Sequence, residues 1–124
     1  PRITKLANVL VNYSCAVRPG ERILIEAVDM PHEFTCECVR QAREAGGIPH
    51  VKLESNQVKR AMLLHGSREG WDVIADAEKL VMERMQCYIG ARGSPNASEL
   101  SDVPGDLQKV FESTVWKRVH VDVG

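Results

Sequence analysis

No stretch of this 124-residue chain approaches the ~20 apolar residues that a bilayer-crossing helix needs. No basic start followed by an apolar core, the pattern of a secretory leader, opens it either. Both absences point to a cytoplasmic protein without a membrane partner. Positive charge is not in surplus: 16 Lys and Arg stand against 17 Asp and Glu, a formal net charge of -1. A surface that neutralises phosphates needs a basic excess, so nucleic acid is not an expected partner. Cysteines number four, Cys15, Cys36, Cys38 and Cys87, and their spacing builds no disulfide framework. Reduced thiols are expected. Aromatic residues make up 5%, and Trp71 and Trp116 each flank an element, where they read as packing residues rather than a base-stacking platform. Histidine is as scarce: His32, His50, His65 and His120 fall in four different segments. A two-metal site needs several imidazoles and carboxylates converging from fixed elements. No catalytic residue and no metal ligand can be assigned from this pattern.

What is present suits one soluble α/β domain over residues 1–124. Hydrophobic residues make up 44% and charged residues 27%, with no internal repeat, low-complexity segment or linker. The organising stretch is Val17 to Ala27. Pro19 presets φ for the second position of a turn and Gly20 accepts positive φ at the third. Ile23, Leu24 and Ile25 follow without a polar break, the mark of a strand buried on both faces. Before it, Ile3, Leu6, Ala7, Leu10 and Tyr13 recur at helical spacing over about 4–14. After it, a helix is predicted from Pro31 to the Gly46-Gly47 stop, capped by Asp29 or Met30. Its apolar stripe is Phe34, Cys38, Ala42 and Ala45, and Arg40 and Glu44 pair on the wet side. Ile48 to Leu53 is the next strand, closing a right-handed βαβ unit.

Ser55 or Asn56 caps a short helix through about His65, ended by Gly66. Val73, Ile74, Ala77, Leu80, Val81 and Met85 mark a longer one. Cys87 to Ala91 is a third strand, followed by a loop from Arg92. A short helix through Phe111 and a fourth strand with Val119, Val121 and Val123 complete the chain. The fold expected is a three-layer α/β domain: a mostly parallel sheet of about four strands, strand one central between strands two and three, helices on both faces.

Each chemical motif has a plainer rival. His32-Glu33-Phe34-Thr35-Cys36 mimics a zinc-binding His-Glu-x-x-His helix, but Pro31 places it in a first turn and no third ligand follows. Cys36 and Cys38 point about 200° apart on a helix and cannot share an ion. Cys38 falls on the apolar stripe, whereas Cys36 faces Arg40 and solvent. Gly90-Ala91-Arg92-Gly93 lacks both the dinucleotide fingerprint and the phosphate-loop ending. A doubly wound sheet places ligands at the crevice between strands one and three, which Glu26, Asp29, Arg92 and Asn96 would line.

The order of elements and several stretches resemble the N-terminal part of the dimetal aminopeptidases of the aminopeptidase T and aminopeptidase S family. The matching pieces are Leu6 to Ser14, Val17 to Ile25, and Ala42-x-x-Ala45-Gly46-Gly47-x-Pro49. Glu83-Arg84 before a strand follows, and then Asn96-Ala97 leading to Leu100 and Val103. Together they cover nearly the whole chain. The resemblance implies an N-terminal accessory domain of a longer two-domain metalloaminopeptidase, a hydrolase that removes N-terminal residues from peptides. It implies two divalent ions, of zinc or cobalt type, in a separate catalytic half, which is the domain's partner, and a homodimeric full enzyme. The family's catalytic motifs do not occur in these residues, so no ligand carries over. The alternative is a stand-alone α/β module that binds a ligand or a partner.

Overall fold

The computed structural model describes residues 2–65, 70–93 and 111–118. Among these residues, four strands form one sheet in the order β2-β1-β3-β4. They are β1 (Arg22–Val28), β2 (Ile48–Glu54), β3 (Cys87–Gly93) and β4 (Phe111–Lys117). β2 and β3 run parallel to β1 on its two sides, and β4 is antiparallel to β3. The helices are α1 (Arg2–Asn8), α2 (His32–Glu44), α3 (Asn56–His65) and α4 (Trp71–Glu83). The chain therefore crosses from β1 to β2 in one direction and from β2 past β1 to β3 in the other. Right-handed crossovers then put α2 on one face and α3 and α4 on the opposite face. This is the mostly parallel, three-layer α/β arrangement that the sequence predicts, with β1 central.

The turn before β1 forms as its residues dictate. The Glu21 N–H donates to the Arg18 carbonyl at 3.0 Å across Pro19 and Gly20. Gly20 takes φ of 84°, the value required at the third position of a type II turn. Along β1, Ile23, Ile25 and Ala27 face α1 and α2, while Leu24, Glu26 and Val28 face α4. Ile23 and Ile25 are fully buried, and Leu24 is 6% exposed. Burial is thus nearly complete on both faces, as the unbroken apolar run requires. The core lies on the α1–α2 face, where Ile23, Ile25, Cys87 and Ile89 meet Phe34 and Cys38. Gln41, buried at 5%, is its polar rivet: its Nε2 donates to the Thr4 carbonyl at 3.0 Å, and its Oε1 accepts from Asn12 Nδ2 at 3.2 Å.

Four local expectations are corrected. The first helix does not stay α-helical: from Val9 to Ser14 it opens into a π-helix, with the Cys15 N–H bonded to the Leu10 carbonyl at 2.9 Å. The wider turn buries Leu10, Val11 and Cys15 together and swings Tyr13 out to 73% exposure. Neither Asp29 nor Met30 caps α2. Pro31 is its N-cap with no side-chain bond, and the Phe34 N–H donates to the Pro31 carbonyl at 3.1 Å. β3 runs on through Arg92 to Gly93, because pairing with β4 down to Phe111 extends it. The fourth strand occupies 111–117, where a helix end was expected, and alternating Ser113, Val115 and Lys117 turn one side to the core face. Val115 packs there. Val119, Val121 and Val123, like Gly66, lie outside the described residues.

Candidate functional site

The α4 face of the sheet is unlike the core face. Its side chains are Arg22, Leu24 and Glu26 on β1, His50 and Lys52 on β2, and Tyr88 on β3. Polar groups thus project into the space under α4. No residue of α4 is buried, and a cavity of about 960 Å³ separates the helix from the sheet. Its helix wall is largely apolar, with Ile74, Ala77, Leu80 and Val81.

One end of the cavity holds a closed polar network. Gly90 is the register partner of Glu26 across β1 and β3. A Cβ at Gly90 would come within 2.9 Å of the Tyr88 ring. Because that space is free, the ring lies along the sheet and the Tyr88 hydroxyl donates to Glu26 at 2.8 Å. Lys52 stands between three carboxylates: Glu78 at 2.6 Å, Glu54 at 3.0 Å and Glu26 at 3.4 Å. Lys59 pairs with the other, buried oxygen of Glu54. Burial works to raise the Glu54 carboxyl, but hydrogen bonds from Lys59 and Lys52 outweigh it and hold the group below the ordinary carboxylate range. Burial and the bond to Glu26 push the Tyr88 phenol up to about 12, so it stays a donor at neutral pH.

The other end is cationic. Gln86 ties the start of β1 to the end of α4. Its side-chain oxygen accepts the Arg22 N–H at 2.7 Å, its N–H donates to the Arg22 carbonyl at 2.9 Å, and its Nε2 donates to the Arg84 carbonyl at 3.4 Å. The backbones of Arg22 and Arg84 are thereby held close together at this end, and both side chains line the cavity. Among the described residues, neither guanidinium has a carboxylate partner.

Of the four residues predicted to line a crevice, Glu26 lines this cavity. Asp29 sits just beyond β1 with φ of 54°, a left-handed conformation that aspartate tolerates, and its carboxylate accepts the Asn56 N–H at 3.2 Å. Its carbonyl lies against Gly93, where any side chain would collide with it. Arg92 is exposed on β3 opposite Glu112, and Asn96 lies outside the described residues. The sequence reading missed Tyr88, Lys52 and Glu78. The glycine two residues after a strand tyrosine was the available signal, since it leaves room for the ring to fold over.

His32 and Cys36 are both exposed on the first turns of α2. Among the described residues, no three His, Cys, Asp or Glu side chains gather closely enough to hold a metal ion. Among the described residues, too, no helix is long and apolar enough to cross a membrane. Cys15, Cys38 and Cys87 are buried free thiols and Cys36 is an exposed one. A search of curated proteins returns no match. The family profile described as thermophilic metalloprotease (M29) matches residues 1–117, nearly the full chain, and on that match the chain belongs to the M29 metalloprotease family.

Proposed function

We propose that these residues form the non-catalytic domain of a metal-dependent aminopeptidase, with the metal centre supplied by another part of the protein. The carrying observation is a mismatch between family and side chains. A metalloprotease family implies a metal, yet the described residues of this chain do not fit one: no three potential ligands converge. In the full enzyme the metals, of zinc or cobalt type, would polarise the scissile carbonyl and activate water. The α/β domain described here would support that half and shape the path of the peptide substrate. A cytoplasmic, homodimeric enzyme is part of the same reading.

The test is calorimetric titration of the 124-residue chain with zinc and cobalt, beside an aminoacyl-anilide assay. No micromolar two-ion binding and no metal-dependent release of anilide are expected. Either event would overturn the accessory-domain reading. A second reading, a ligand-binding α/β module, is favoured by the cavity under α4, which Glu26 lines.

A further inference from the structure

We infer that the cavity between α4 and the sheet binds a small amphipathic carboxylate, its head held by Arg22 and Arg84 and its apolar body laid along Leu24, Leu80 and Val81. The inference stands on the cavity and does not need the accessory-domain reading. The size comes first. A cavity of about 960 Å³ lies at the upper end of the range for small-molecule sites, roughly 300–1,000 Å³, and is far larger than a bare acetate requires.

Charge then chooses the head group. The carboxylates in the cavity are already engaged: Glu26 by Tyr88 and Lys52, Glu78 by Lys52. A cationic ligand would have to displace these contacts. The two guanidinium groups at the other end have no carboxylate partner among the described residues, and Gln86 keeps their backbones together. Guanidinium favours carboxylate and phosphate alike. Arg84, however, follows the carboxyl end of α4, where the helix dipole is negative, and Glu26 and Glu78 share the same cavity. Both repel a dianion about twice as strongly as a monoanion, so of the two a monoanion fits the site better. The helix wall between the two ends is apolar, with Leu24 facing it from the sheet beside His50, which calls for a hydrocarbon or leucine-like body.

Such a head and body occur in a medium-chain fatty acid and at the C-terminus of an apolar peptide. The experiment titrates the 124-residue chain with octanoate and with trileucine, followed by amide chemical shifts, and repeats it with octanol and trileucine amide. Saturable binding of at least one carboxylate is expected, with shifts at Leu24 and Leu80. The matched neutral compound should bind on the order of tenfold more weakly, since charge-assisted hydrogen bonds are lost. Arg22→Gln with Arg84→Gln should weaken the acid by a similar factor. Both positions are exposed, so the fold should survive, and the neutral compounds test the head group on the unaltered chain. Binding of octanoate alone identifies a fatty acid as the source, and of trileucine alone a peptide terminus. Equal binding of acid and neutral analogue, undiminished binding by the double variant, or no saturation at millimolar concentration would overturn the inference.

Discussion

At the residue scale, one pair of neighbours separates the two faces of the sheet. Ile25 is sealed in the core, whereas Leu24, nearly as buried, borders the cavity under α4. Truncating either to alanine should destabilise the chain, within the ~2–5 kcal/mol seen for buried aliphatic residues. Ile25→Ala should fall toward the upper end, because Leu24 already has open space on one side; urea denaturation of both variants measures the difference. Gly90→Ala would push a methyl against the Tyr88 ring, which can swing toward the cavity only by giving up its bond to Glu26, and should cost about 1 kcal/mol. Removing the ring as well, with Tyr88→Ala, should relieve most of that strain in the double variant. Thiol labelling mapped by mass spectrometry should find Cys36 far faster than Cys38. The two sit two residues apart on α2, but burial pushes the Cys38 thiol up to about 12. That difference follows from helical phase alone and is readable in the sequence. The role of Gly90 is not, because a glycine in a strand shows that something approaches without showing what.

At the element scale, the acidic and basic groups beneath α4 tie it to the sheet. Lys52 links Glu78 of α4 to Glu54 of its own strand and Glu26 of β1. At the opposite end of the sheet, Lys117 of β4 bonds Glu21 at 2.9 Å. Burial works to raise the Glu21 carboxyl, and the hydrogen bond from Lys117 outweighs it. Glu21 and Glu54 both titrate below the ordinary value of 4.5. Their contribution is therefore complete above about pH 4.5 and is lost as pH falls through their lowered folded values. Both side chains are mostly covered, Glu21 22% and Glu54 15% exposed, so the loss should be measurable. Urea midpoints measured from pH 6 to pH 3 should decline less steeply in Glu54→Gln than in the unaltered chain. β1 was legible because an unbroken apolar run follows a clear turn, β2 because Ile48, Val51 and Leu53 follow the Gly46-Gly47 stop, and β3 because Cys87, Tyr88 and Ile89 follow the end of a helical pattern. β4 was displaced in the reading because Phe111 to Lys117 mixes Glu112, Ser113 and Thr114 with its apolar residues. Only pairing to β3 makes that sequence a strand. The π-helix was equally hidden, since Val9 to Ser14 continues an acceptable α-helical pattern and the wider turn is chosen by what packs beneath it.

At the scale of the whole molecule, the two layers of helix are unequal. α1 and α2 share one close-packed core with the sheet. α4 has no buried residue, leaves Ile74 and Leu80 more than half exposed, and stands off across a cavity. The inequality has a dynamic consequence. Backbone amides are released to solvent in cooperative units whose opening free energies follow their buried contacts. Amides of β1 and α2 should exchange with deuterium only through global unfolding. Those of α4 should exchange through a smaller opening that leaves the other layer intact, and so should respond weakly to low concentrations of denaturant. A ligand seated under α4 would slow that exchange without changing the slowest amides of β1. Equal protection of α4 and β1 would show instead that the chain opens as one unit.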